Sequence, residues 1–330
     1  MIISRDQQMV QKVVMVDGFP GCGKTMLSPI ISAFSRVEMM QYAPVIEQVC
    51  ELWGLNKMQD DVAESMIKMN ADLLIYNIMM GRNSNCRPED ISSIFKHRPL
   101  EHIKRMLSIG DEAIPNLIEE KNPILHLTTH MLLPVVNLIL KALECKLIFI
   151  EVVRHPLYMI IQHEKNFDML EGARNQHVRY TLNRKEYTFF TRGWEKEFEQ
   201  SNSFEKAVHS IAWYYKKLFS SNSDVYMTIP FELFVKNPEG YLQKISSALE
   251  SPISDQVREE MEVQKVPREQ LSDAPALEIY KRCGWTPPSG FSEEDELKVR
   301  RELVAKQVSS EVLTILDDVS KKYEDIYLNH

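Results

Sequence analysis

The chain has 330 residues, 44% of them hydrophobic and 26% charged, an ordinary balance for one large α/β domain or two modest ones. Its formal net charge of −8 excludes bulk attraction to nucleic acid or to an anionic membrane, so an anionic ligand must be held by a local cluster of cations. Five cysteines without a C-x-x-C pair exclude a disulfide framework and a cysteine zinc site, and no run approaches the roughly 20 apolar residues of a membrane span. With the polar stretch 1–12 lacking a signal-peptide core, the expectation is a reduced, cytoplasmic protein.

After that short arm, Val13-Val14-Met15-Val16 reads as a buried strand, and Met26 to Phe34 as the opening of a helix, a first βα unit over 13–36. Val45–Trp53, Met58–Met80 and Glu101–Glu120 read as helices, with a polar, turn-rich stretch from Arg82 to Pro99. Ile124–Thr129 is a second strand, Val135–Leu143 its helix, and Lys146–Val153 a third strand, apolar almost throughout. Residues 166–200 break the alternation. There His177–Thr181 and Tyr187–Thr191 flank Asn183-Arg184-Lys185 as a β-hairpin carrying Arg179, Arg184, Lys185 and Arg192, cations that meet either the acceptor or solvent. Ser203–Phe219 is a helix with an aromatic stripe, Asp224–Ile229 a strand, Asn237–Leu249 a helix, and Glu293–Tyr327 a charged helical tail broken once, behind a hinge at Thr286–Gly290. The expected fold is a doubly wound parallel sheet of the P-loop type, flanked by helices. The chain would be one domain over 1–330, with its core about 13–250, its insertion about 166–200 and its C-terminal loop and tail about 265–330.

Gly18-Phe19-Pro20-Gly21-Cys22-Gly23-Lys24-Thr25 matches the phosphate-loop pattern G-x-x-x-x-G-K-[ST], between a strand and a helix as the motif requires. Its glycines let several backbone N–H groups converge on one anion, and the helix N-terminus adds its positive dipole end. Lys24 supplies a mobile charge and Thr25 a hydroxyl for a phosphate oxygen or a metal. Ligands of an open parallel sheet bind at the carboxyl ends of its strands. That puts His130, after the second strand, and Arg154, after the third, on the phosphate side, while His126 is a structural residue.

The ordered set resembles the cytosolic-type sulfotransferases, which use 3′-phosphoadenosine 5′-phosphosulfate (PAPS). Phe19–Thr25 sits where that family has its P-K-S-G-T-T loop, and Thr128-Thr129-His130-Met131-Leu132-Leu133-Pro134 is similar to its K-T-H-L-P segment. Phe149–His163, through Val153-Arg154-His155-Pro156, resembles its strand–R-x-P–helix element, and Val225–Leu249 its Y-E-D-L…N-P strand and helix. Tyr280-Lys281-Arg282-Cys283-Gly284-Trp285 stands for its R-K-G loop. The resemblance covers residues 13–34 and about 124–250. It implies PAPS as co-substrate, held by Pro20, Gly21, Cys22, Gly23, Lys24 and Thr25 at the phosphosulfate, by Arg154 and Gln162 at the 3′-phosphate, and by Lys281 and Arg282 elsewhere on the cofactor. It also implies His130 as general base, Lys24 on the leaving oxygen, no metal, and a small-molecule or glycan hydroxyl acceptor. The chain departs from the family at Gly21, where the loop lysine falls, at Gln162 for a serine, at Thr128 for a lysine and at Met26 for a tryptophan.

Two other readings stand beside it. An intact G-K-T suits an ATP-dependent kinase of a small metabolite or nucleotide, in which Glu151 would take the place of the strand-end acid on the metal. A nucleotide-sensing regulator, docking through the acidic helical residues 255–330, leaves His130 without a role.

Overall fold

The computed structural model describes every residue except 109, 170–174, 222–224, 272–291 and 330. The strands are β1 (Lys12–Gly18), β2 (Gln41–Tyr42), β3 (Ile124–Thr128), β4 (Leu147–Val153), β5 (Arg179–Leu182), β6 (Lys185–Thr188) and β7 (Met227–Pro230). β2-β3-β1-β4-β7 form a wholly parallel sheet in that order. All but the first residue of β1 are buried, as are all five of β3, because helices cover both faces. Those helices are α1 (Lys24–Ser32), α2 (Pro44–Gly54), α3 (Asp60–Met79), α4 (Pro99–Met106), α5 (Ile114–Lys121), α6 (Val136–Leu143) and α7 (Pro156–Met169). They continue as α8 (Glu195–Gln200), α9 (Ser203–Ser220), α10 (Phe231–Lys236), α11 (Glu239–Leu249), α12 (Asp255–Val263), α13 (Glu293–Ala305) and α14 (Ser310–Tyr327). The α/β architecture expected from the sequence is the one observed.

β1 is central, and the sheet grows from it in both directions, so the loop after β1 lies beside the strand ends of β3 and β4. The register is explicit: Val16 pairs with Thr128, and Asp17 with Glu151. The aromatic stripe of α9 turns Tyr214 and Tyr215 into the core beneath that edge. α14 closes the other side: Tyr323 donates to Glu232 Oε2 (2.6 Å), while Glu232 Oε1 accepts from the His155 amide (2.8 Å). The strand tip bearing Arg154 is thereby clamped between α10 and the tail.

Several boundaries differ from expectation. The helix read over Glu101–Glu120 is two helices, α4 and α5, separated by a 3₁₀ turn at Asp111–Ala113, since Gly110 is extended and Pro115 starts α5 without an amide to offer a preceding turn. α1 begins at Lys24, two residues early, because Gly23 is its N-cap. The hairpin turn is the two residues Asn183-Arg184, both at positive φ, and its strands sit closer to that turn than the sequence suggests. β2, two residues long, has no periodicity to betray it. The tail breaks once, with Ser309 capping α14. The hinge at Thr286–Gly290 lies outside the described residues.

Candidate active site

The loop is shaped by steric necessity at two glycines. Gly23 has φ 111°, and a Cβ there would lie 2.2 Å from Cδ2 of Phe231. Gly21 has φ 90°, and its Cβ would come within 3.0 Å of Gln162 Oε1. Cys22 donates its amide to the Phe19 carbonyl (3.1 Å), tightening the turn. Its thiol is buried, and burial raises its pKa to about 11, so it packs rather than reacts. Pro20 is half-buried, and Thr25 is exposed in the first turn of α1.

Lys24 is 6% exposed. Its ammonium donates to the carbonyls of Gly18 (2.5 Å) and Phe19 (3.3 Å), folded back along the loop that it would serve. The Asp17 carboxylate behind the loop interacts electrostatically with this ammonium, so carbonyl dipoles and a buried negative charge together hold it. Arg154, 7% exposed, donates through Nη1 to the Gly21 carbonyl (3.1 Å), and its guanidinium lies 4.3 Å from the Phe231 ring centre and 4.9 Å from that of Tyr158. The ring that forbids a side chain at Gly23 thus also supports the guanidinium. Gln162 leans on Gly21 from α7, so Lys24, Arg154 and Gln162 converge on one loop. Lys281 and Arg282 lie outside the described residues.

His130 sits where β3 ends. The next residue, Met131, donates its amide to the Gly18 carbonyl (3.4 Å), which fixes His130 beside the start of the loop. Glu47 Oε1, from α2, accepts both the His130 amide (2.7 Å) and ring Nδ1 (3.0 Å). A carboxylate accepts, so Nδ1 carries the proton, leaving Nε2 for chemistry. Tyr42 stacks on the ring with centroids 6.2 Å apart. His126, by contrast, is fully buried and bonded to Ser32 (2.9 Å), and burial lowers its pKa to about 3, which makes it a neutral core residue.

Behind the loop lies a buried acidic pair. Asp17 accepts from Thr129 Oγ1 (2.9 Å) and from the amides of Leu132 (2.8 Å) and Leu133 (3.1 Å). Glu151, its register neighbour, accepts from Tyr214 (2.6 Å), and its second oxygen receives no donor. Burial raises both carboxyls. The Lys24 charge and the hydroxyl and amide donors favour the charge on Asp17, so the proton stays on Glu151, which burial and the Asp17 charge hold well above the carboxylate range. An acid locked behind Tyr214 in this way is not presented at the loop surface, contrary to the metal-binding place that the kinase reading gives it.

A cavity of about 320 Å³ opens beside the loop, bounded by Pro20 and Met131 on one side and by the hairpin, α7 and α9 on the other. His177 lines it, donating Nδ1 to Glu51 Oε1 (2.6 Å) while the Val178 amide takes Oε2 (2.6 Å). Burial opposes charge on His177, but the Glu51 carboxylate outweighs burial and holds the imidazole above its ordinary pKa. Of the hairpin cations, Arg179 pairs with Glu186, Lys185 with Glu199, and Arg192 with the Gly54 carbonyl. Glu47, Glu51, Asp17, His163 and His177 escape sequence reasoning. Of these, Asp17 alone carries a signal: an acid ending an apolar strand against a glycine loop.

The chain was compared with known proteins. No family model matches it, and neither does any curated protein. Solved structures that resemble it include the sulfotransferase domain of the Synechococcus PCC 7002 olefin synthase, at 10% identity over 92% of this chain and 98% of that one, with a TM-score of 0.39. A sulfotransferase of Mycobacterium avium matches at 10% identity over 98% and 79%, TM-score 0.43, and one of Mycobacterium tuberculosis H37Rv at 11% over 90% and 77%, TM-score 0.37. Among the described residues no helix is long and apolar enough to cross a membrane.

Proposed function

We propose that the chain moves a sulfuryl group from PAPS to a hydroxyl acceptor by in-line displacement, with His130 as general base. The observation that carries this reading is the convergence of two buried cations, Lys24 and Arg154, on the carbonyls of one glycine loop, with a glutamate-oriented imidazole at the neighbouring strand end. The loop suits such a co-substrate: Gly21 and Gly23 hold the positive φ that curls it, and Lys24 and Arg154 both donate to its carbonyls. When bound, PAPS supplies the sulfuryl group and a nucleotide leaving group. Lys24, with Thr25, binds the phosphosulfate and neutralises charge on its bridging oxygen. Arg154, aided by Gln162, binds the 3′-phosphate through its planar fork. Glu47 fixes the His130 tautomer, and Nε2 takes the acceptor proton, a contribution of about 10²–10⁴-fold.

The G-K-T sequence with an exposed Thr25 keeps a kinase reading alive, in which Thr25 meets Mg²⁺ on ATP. Calorimetric titration separates the two: adenosine 3′,5′-bisphosphate binding without metal supports sulfuryl transfer, whereas metal-dependent ATP binding and no bisphosphate binding refute it. On a panel of hydroxyl compounds read by mass, His130→Ala keeps bisphosphate affinity and loses turnover; unchanged turnover would remove His130 from the mechanism.

A further inference from the structure

α2 carries two glutamates one turn apart, and each orients a different histidine. Glu47 holds His130 at the loop, and Glu51, 1% exposed, holds His177 in the wall of the adjoining cavity. Both oxygens of Glu51 are engaged by the His177 segment, one by Nδ1 and one by the Val178 amide. A carboxylate is costly to bury, and here it serves to aim one imidazole. His177 Nε2 has no hydrogen-bond partner among the described residues, and His130 is not among the residues lining the cavity.

The rest of the wall says what kind of molecule fits. Phe167, Tyr187, Phe190 and Phe198 supply aromatic faces and edges, suited to a flat apolar ring. Arg179 is already paired with Glu186 within the wall, so it does not recruit an anion. A volume of about 320 Å³ is at the lower end for a small-molecule site, which excludes enclosing a polymer. A second polar group in this wall lacks a partner. His163, 5% exposed, sits edge-on to Phe19 (4.5 Å) and Phe167 (4.9 Å), and neither ring nitrogen has a hydrogen bond. Buried polar groups are almost always satisfied, so an unpartnered imidazole lining a cavity points to a ligand that brings the missing contact.

We propose that this cavity binds the acceptor as a small, flat ring compound, and that His177, aimed by Glu51, donates from Nε2 to a hydroxyl oxygen on it. The inference rests on the sulfuryl-transfer reading for the word acceptor, but the binding site stands without it. His177 is a recognition residue: its contact is separate from the proton removal assigned to His130, so the acceptor carries a second hydroxyl besides the one that receives the sulfuryl group. With Arg179 held by Glu186 and the Lys206 ammonium 4.5 Å over the Phe198 ring, the cations of the wall are already engaged, which favours a hydroxyl over a carboxylate.

The test is titration of the full chain at neutral pH with p-cresol, toluene and 4-methylbenzoate, three probes of one shape, read by calorimetry and by the imidazole ¹⁵N signals. p-Cresol should bind at least tenfold more tightly than toluene, the size of one charge-assisted hydrogen bond, and should shift the His177 Nε2 signal. His177→Phe, which keeps a ring against Phe189 and Phe190, should make p-cresol and toluene equal, and His177→Gln, which restores an N–H donor, should recover part of the preference. Equal binding of p-cresol and toluene by the native chain, tighter binding of the benzoate, no binding up to the solubility limit, or a preference that survives His177→Phe would each overturn the proposal. Bisphosphate titration on the same sample keeps the two questions apart: its failure with p-cresol binding intact removes the sulfuryl-transfer reading and leaves the site.

Discussion

Gly23→Ala is the most direct perturbation of the loop, because its cost is set by one identifiable contact. The new methyl carbon would stand 2.2 Å from Cδ2 and 2.5 Å from Cε2 of Phe231, well inside contact distance. The ring has little room to yield, being 4% exposed and covered by the Arg154 guanidinium at 4.3 Å. Overpacking of this kind costs about 1–3 kcal/mol, and forcing alanine to the φ of 111° adds about 1–2 kcal/mol. The expected loss is about 2–5 kcal/mol in urea denaturation, with bisphosphate binding weakened because the same ring seats Arg154. Phe231→Ala removes the obstacle. In that background Gly23→Ala should cost only its conformational part, so the double-mutant cycle should show a coupling of about 1–3 kcal/mol. Additive losses, or a Gly23→Ala protein as stable and as tightly binding as the native one, would refute the steric argument.

Arg154→Ala should weaken adenosine 3′,5′-bisphosphate by about 10- to 100-fold, the range of a hydrogen bond to a charged group, and adenosine 5′-phosphosulfate much less; equal losses by calorimetry would show that Arg154 serves the loop and not the 3′-phosphate. Glu151 makes a prediction about pH. Its folded pKa is raised, by burial first and then by the Asp17 charge, so its contribution is fully present below the ordinary carboxyl range. As pH rises above that range the unfolded chain releases the proton first, and stability falls by up to about 1.4 kcal/mol per pH unit until the folded carboxyl also ionises. Glu151→Gln, which mimics the protonated acid, should match the native protein near pH 4.5 and exceed it increasingly at higher pH, as measured by urea midpoints. A variant uniformly less stable, or one whose deficit grows with pH, would place the proton elsewhere.

The sheet was legible because a strand buried on both faces writes itself as an unbroken apolar run, as at Val13–Val16 and Ile148–Ile150, and because a glycine loop after such a strand announces the helix behind it. The positions of Arg154 and His130 were legible for a related reason: each follows the end of a strand, and parallel strands put their ends on one side. The partners that give those residues chemistry were not. Glu47 and Glu51 are i, i+4 on α2, a spacing that on most helices marks a wet face, and nothing local separates a carboxylate that meets solvent from one that meets an imidazole 126 residues away. The same limit hid the cavity, whose walls come from the loop, α7, α9 and the hairpin, joined by tertiary contacts alone. Four hairpin cations were visible as charge, yet three are taken up by neighbours, and of the four it is Arg179 that lines the cavity, beside aromatic side chains. Recognition at this site therefore falls to the residues that retain hydrogen-bonding capacity inside it, His177 and His163 among them, and only coordinates reveal which groups those are.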